Sequence, residues 1–313
     1  MIRIFRKLST KPVWWWERTR SFPVRSRYRQ LPPLPVKEGR IRFVVLTAPE
    51  TLSDALWAAW SWYRYLRHAD CKLEIAVDGV VSAAQSAAAA QMFPGLAIYP
   101  AESACRYVYE REPALEVFLH GHPTGRKLAL ILALSDQGPV LYSDHDVLAF
   151  SPPHELLASI RRNVACYFPE EADGTRDPSI VERAISLGLD YIKGFNSGFL
   201  YIPGGALPMK KAAEILATWR PPSSSWFTEQ TVLGVMLRDV NAEALPSSRY
   251  VISICRQFYW ERDVDYKTIA ARHFTGPVRH VMYGYGIPEI LRQSKLLSYK
   301  DSRDVLQARD LSG

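Results

Sequence analysis

The chain has 313 residues, 48% hydrophobic and 23% charged, which gives enough apolar content for a large core and excludes a disordered or fibrous protein. Its longest unbroken apolar run, Leu128 to Leu134, is far too short to cross a bilayer. The net charge of +7 is unevenly placed: residues 1–40 carry +9 and the rest −2, so the body of the chain offers no basic field for nucleic acid.

Residues 1–39 read as a basic leader and linker. Trp14, Trp15 and Trp16 stand among Arg3, Arg6, Lys7, Lys11, Arg18 and Arg20, and Pro32, Pro33 and Pro35 follow. Lys and Arg attract anionic lipid and Trp favours the headgroup layer, which suits peripheral contact with a membrane surface. A basic tail whose tryptophans pack on the domain, or a cleaved organelle-targeting peptide, fits the same composition. No apolar stretch follows Lys7, so the segment is not a secretory signal.

A main domain is expected over residues 40–285, with a tail over 286–313. Ile41 to Leu46 is a β-branched, apolar run that predicts a buried strand. Thr51 to Arg67 has helical spacing, with Leu52, Leu56, Trp60 and Tyr63 on one face. Leu73 to Val77 predicts a second strand, the alanine-rich Ser82 to Met92 a second helix, and Leu96 to Tyr99 a third strand. Gly125 to Ser135 reads as helix and Val140 to Ser143 as the next strand. This alternation predicts an α/β fold with a mostly parallel central sheet flanked by helices. Cys71, Cys105, Cys166 and Cys255 are scattered with no C-x-x-C pair, and read as reduced thiols of a cytoplasmic protein.

Ligands of parallel sheets bind beyond the carboxyl ends of the strands. Thr47-Ala48 falls there after the first strand, and Asp144-His145-Asp146 after the fourth. Alternation in extended chain would send Asp144 and Asp146 to one side and His145 to the other, leaving two carboxylates for a hard cation, Mn²⁺ or Mg²⁺. An isolated D-x-D is more often a solvated turn; its place after a buried strand is what gives this one weight.

Three further segments carry chemistry. In His273-Phe274-Thr275-Gly276-Pro277-Val278-Arg279, an imidazole, a glycine permitting close backbone approach and a guanidinium would together clamp a diphosphate. Gly194-Phe195-Asn196-Ser197-Gly198 reads as a polar turn entering the strand Phe199 to Ile202, with Gly198 leaving room for a ligand; an ordinary loop-to-strand junction is the plainer reading. Glu229-Gln230, near the start of a helix running to Leu237, offers groups for sugar hydroxyls or for helix capping. Lys127 would reach a phosphate, although most lysines at such positions are solvated. Asp173, Arg176 and Asp177 lie in a polar loop that would meet an acceptor or remain a surface loop.

In this order, Leu46-Thr47, Lys127, Asp144-His145-Asp146, Phe195-Asn196-Ser197-Gly198, Glu229-Gln230 and His273-Phe274-x-Gly276-x-x-Arg279 resemble the family-8 retaining glycosyltransferases, the family of glycogenin and the bacterial lipopolysaccharide galactosyl- and glucosyltransferases. The resemblance implies a GT-A fold from about Arg40 to Tyr285 and transfer of a sugar from a nucleotide-diphosphate donor, usually UDP-linked, to a glycan, lipid-linked or protein acceptor. It implies that Asp144, Asp146 and His273 hold the metal and that Thr47 and Ala48 lie at the nucleoside. Lys127, Gly276 and Arg279 would then lie at the diphosphate, with Asn196, Glu229 and Gln230 at the donor sugar. Retention of anomeric configuration is implied by the resemblance alone. The family usually has Lys followed by Pro-Trp where Arg279-His280 stands, and Asp-Gln where Glu229-Gln230 stands. A nucleotidyltransferase would want a Gly-rich basic loop after the first strand, and Leu46-Thr47-Ala48-Pro49-Glu50 is neither. A nucleotide-sugar binding module without catalysis, or a scaffold on a membrane, would fit the same segments less well.

Overall fold

The computed structural model describes residues 23–170, 175–221, 225–252 and 264–295. Strands β1 (Ile41–Thr47), β2 (Cys71–Val77), β3 (Ala97–Pro100) and β4 (Val140–Asp144) run parallel, and with β6 (Cys166–Pro169), β7 (Phe195–Ile202) and β8 (Glu243–Ala244) they make a seven-stranded sheet. Its order is β3-β2-β1-β4-β7-β6-β8. Among the described residues, β7 alone runs against the other strands, pairing antiparallel with both β4 and β6. The expected mostly parallel sheet flanked by helices is therefore observed. Strand β5 (Val147–Ala149), β9 (Tyr250–Val251) and β10 (Ala271–His273) form a small second sheet in the order β5-β10-β9.

Alternation along β1 buries both faces of the large sheet. Phe43 and Val45 enter one apolar layer and Val44 the other, which is why Phe43 to Leu46 reads as continuous hydrophobic sequence. Helix α1 (Leu52–Leu66) departs from the one-faced pattern expected of it. Trp57, Trp60, Trp62 and Tyr63 are all buried, because the helix is enclosed on several sides. Its indoles find partners in three directions: Trp57 donates to the Arg25 carbonyl, Trp60 to that of Pro32 and Trp62 to that of Val147. Helix α2 (Ala83–Met92) begins at a capping box in which the Gln85 amide donates to Ser82 Oγ and the Ser82 amide to Gln85 Oε1. Such caps stabilise a helix start by about 1 kcal/mol.

Two short helices fall where the sequence suggested no element, α3 (Glu102–Tyr109) and α4 (Glu116–Gly121). Helix α5 (Gly125–Gln137) then returns the chain to β4.

The expected boundaries sit differently on the structure. From residue 23 the chain lies against the domain, with Tyr28, Leu31 and Leu34 buried in the core. The Leu34 and Val36 amides donate to the Met92 and Pro94 carbonyls, so the Pro32–Pro35 stretch is extended chain fixed to a surface and not a free linker. At the other end, residues 276–295 form one helical run, and Ile287, Ile290 and Leu291 are buried beyond the point where a tail was expected to begin. The tryptophan cluster Trp14–Trp16, Asp173 and Cys255 lie outside the described residues. Cys71, Cys105 and Cys166 are free and buried. No helix among the described residues is long and apolar enough to cross a membrane.

Candidate active site

Strands β1 and β4 pair with Leu46 opposite Asp144, which brings Thr47-Ala48 and the D-x-D to one edge of the sheet. The carboxylates converge by a different route from the one expected. β4 stops at Asp144, His145 and Asp146 form a turn, and β5 resumes at Val147. Strand alternation therefore does not place Asp146; the turn does, held by the Phe274 amide donating to the Asp146 carbonyl at 2.8 Å. β10 pairs His273 with Val147 and so delivers the imidazole to the same point. Ligand atoms of Asp144, Asp146 and His273 all lie within 4.8 Å of one another. His273 Nε2 is 3.2 Å from Asp146 Oδ1 and 4.0 Å from Asp144 Oδ2.

The imidazole is aimed from behind. Asn196 Oδ1 accepts from His273 Nδ1 at 3.0 Å and from the Gly198 amide at 2.8 Å. An Nδ1 proton committed to that carbonyl leaves Nε2 to act as a ligand. Asn196, Ser197 and Gly198 belong to the buried strand β7, not to a turn before it. Because β7 is antiparallel, its beginning lies beside the end of β4. A Cβ on Gly198 would stand 2.3 Å from His273 Cε1, so the space expected for a ligand is filled by the histidine. Asn196 is thus placed against His273, and its Nδ2 donates to Glu170 Oε2 at 3.3 Å.

Asp144 is held from the opposite side. Tyr142 donates to Oδ1, and Lys127 Nζ lies 3.0 Å from Oδ2, 3.0 Å from Ser197 Oγ and 3.8 Å from Glu229 Oε1. The Lys127 side chain is only 11% exposed, so the solvated alternative does not hold. Desolvation pulls its pKa down, but Asp144 and Glu229 outweigh that and leave it raised. Burial, with Asp144 adding, pushes the Glu229 carboxyl up to about 7 against the pull of Lys127. Gln230 does not present a free amide: Oε1 accepts from the Ser197 amide at 3.2 Å and Nε2 donates to the Thr175 carbonyl at 2.9 Å.

Arg279, expected on a diphosphate, is engaged with Asp146, its Nη2 donating to Oδ2 at 2.6 Å. Burial alone would raise the Asp146 pKa, but His273 and Arg279 hold it well below the ordinary carboxylate value. Gly276 faces open space, with no atom within 4 Å of where a Cβ would be. Thr47 Oγ1 is satisfied by Thr51 Oγ1 at 2.9 Å. Asp177 leaves the acceptor loop of the sequence reading: it caps the helix Pro178–Ser186 through Ser179 and accepts from Thr228 Oγ1. Arg176 Nη1 donates to the Tyr191 hydroxyl.

Tyr142 and Glu170 join the site without having been singled out. A tyrosine two residues before Asp144 on one strand was the available signal for the first; nothing local pointed to the second.

No family model matches this chain, and no curated protein sequence does. Solved structures do. The galactosyltransferase LgtC, in complex with donor and acceptor sugar analogues, superposes with a TM-score of 0.51 at 18% identity over 75% of this chain and 87% of its own. The bifunctional glycosyltransferase WbbM gives 0.52 at 11% identity over 83% of this chain, which spans about half (52%) of WbbM. At such identities the likeness is one of architecture, and the chain has the α/β, GT-A-type fold of nucleotide-sugar transferases.

Proposed function

We propose that this chain is a metal-dependent glycosyltransferase that moves a sugar from a UDP-linked donor to a glycan, lipid-linked or protein acceptor. The observation that carries the reading is the convergence of Asp144, Asp146 and His273 at the carboxyl ends of the parallel strands. Two carboxylates and an imidazole whose Nδ1 is already committed form a donor set suited to Mn²⁺ or Mg²⁺. Such an ion, when bound, neutralises charge gathering on the diphosphate as the anomeric C–O bond breaks.

The chain's own groups do the rest. Thr47 and Ala48, at the end of β1, border the nucleoside. Gly276, with open space above it, admits the diphosphate to the backbone, and Arg279 adds fixed positive charge beside it. Lys127 holds Asp144 in place and offsets the second buried acid, Glu229. Glu229 and Asn196 border the donor sugar, while Gln230 fixes the strand that carries Ser197. The acceptor hydroxyl enters on the face from which the diphosphate leaves, giving retention; NMR of the product showing an inverted anomeric centre would reject that step.

The test of the class is donor hydrolysis by purified protein with UDP-, GDP- and dTDP-sugars and Mn²⁺, with and without chelator. Nucleotide release from a UDP-sugar, abolished by chelator and by Asp146→Ala, is the expected result. Absence of nucleotide binding across the panel would overturn the reading.

A further inference from the structure

Behind Asp146 stands a second buried ionic group that the donor chemistry does not use. Asp54 lies fully buried in the apolar helix α1, between Leu52 and Ala55. Arg25 Nε is 3.2 Å from its Oδ1, and the Tyr283 hydroxyl donates to its Oδ2 at 2.8 Å. Arg25 also donates to that hydroxyl, from Nη2 at 2.5 Å and from Nε at 3.1 Å. Three distant parts of the chain therefore meet at one carboxylate: the segment before the sheet, α1, and the helical run that follows His273.

That run is where the group touches the metal cluster. Tyr283 lies four residues after Arg279, so the two side chains share a face of the helix. From this face Arg279 reaches Asp146 Oδ2 at 2.6 Å, while Oδ1 faces His273 Nε2 at 3.2 Å. Within the run, the helix changes pitch on either side of Arg279, with a 3₁₀ turn at Gly276–Val278 and a π-helical stretch at Met282–Gly286. A buried carboxylate in an apolar helix is costly unless paired, and here its partners come from the segment before the sheet and from the run that carries Arg279.

We infer that Arg25, Asp54 and Tyr283 are positioning residues that anchor Arg279, and through it orient the Asp146 carboxylate with Oδ1 toward the metal position. The inference rests on the metal reading above, and assigns to residue 25, in what the sequence presents as a leader, a place in the site. Partners of a ligating side chain commonly change metal affinity by about 10- to 100-fold.

The experiment is a Mn²⁺ titration of the full-length, donor-free protein, followed by EPR, with circular dichroism to confirm folding. Tyr283→Phe removes only the hydroxyl and is expected to weaken Mn²⁺ binding about tenfold. Because the effect passes through Arg279, it should largely disappear when Tyr283→Phe is made in an Arg279→Gln background. Unchanged affinity in folded Tyr283→Phe, or an equal loss in both backgrounds, would overturn the anchor. If Tyr283→Phe does not fold, Arg25→Gln, at the partly exposed end of the group, carries the same comparison. The readout is metal affinity, so failure of sugar transfer leaves it intact; absence of Mn²⁺ binding by the unaltered chain overturns both readings.

Discussion

The two ends of the large sheet treat charge in opposite ways. At the carboxyl end, Lys127, Glu229, Asp146 and His273 are withdrawn from water and hold one another at 3–4 Å. At the amino end, Arg40 and Asp70 make a close ion pair at 2.6 Å, yet their side chains are 90% and 44% exposed. A cavity of about 680 Å³ opens there among Tyr65, His68, Asn163 and Tyr201, without a buried cluster of acids. Short distances are thus common to both ends, and burial separates them. Desolvating several ions is costly, and a fold retains such a group only where each member is paired or where a ligand completes it.

The sharpest test of that contrast is Lys127→Met. The substitution keeps the stem volume and removes the cation that faces both Asp144 and Glu229. Breaking a buried pair in this way costs about 3–5 kcal/mol, and denaturant unfolding of the metal-free protein measures it. A loss within the range of surface pairs would mean that water screens the two ends alike.

Gly198→Ala probes the same end without altering charge. The added Cβ would lie 2.3 Å from His273 Cε1 and 2.5 Å from Nδ1, so the imidazole must leave Asn196. The expected result is Mn²⁺ affinity lowered by about tenfold or more in a folded protein, read by titration calorimetry. Retained affinity would show that the Asn196 contact does not aim His273.

These two positions also show what the sequence made legible. The strands were readable because β1, β2 and β4 are buried on both faces and therefore spell mostly apolar runs, with Arg42, Lys72 and Glu74 as interruptions. The D-x-D was readable from its place after such a run, although the turn at His145-Asp146 was not: residue identity alone does not say where a strand stops. Lys127 was noticed as a cation for a phosphate, but its contacts with Asp144, Ser197 and Glu229 were not legible, because those groups arrive from three other elements. Gly198 looked like space for a ligand since the histidine that fills it lies 75 residues away in sequence. Leu31 and Leu34 were hidden among prolines that suggest a linker, while the stretch that carries them is bonded to Trp60 and Met92, far along the chain. The Tyr283–Asp54 contact joins residues 229 apart, and local pattern carries no trace of it.

Glu229 gives a smaller, pH-dependent test. Its carboxyl is pushed from the ordinary 4.5 to about 7, chiefly by burial. A raised carboxylate pKa means that the unfolded chain releases the proton first. The stability this group contributes is therefore complete below about pH 4.5 and is lost as pH rises through about 7. In chelator, unfolding free energy should fall across that window, and Glu229→Gln should flatten the fall. An identical slope in the variant would place the titration elsewhere.

The least effect is expected at the amino end. Arg40→Met removes an ion pair as short as any at the carboxyl end, 2.6 Å, but one that water surrounds. Side-chain hydrogen bonding by Arg40 lowers the Asp70 pKa, yet exposed pairs of this kind commonly contribute nothing measurable. The denaturation midpoint should stay within error of the unaltered chain, and raised salt should leave both proteins equally stable. A clear loss of stability would show that the pair fixes the backbone where Asp70, at φ 57°, turns the chain into β2, and that the amino end also depends on its charges.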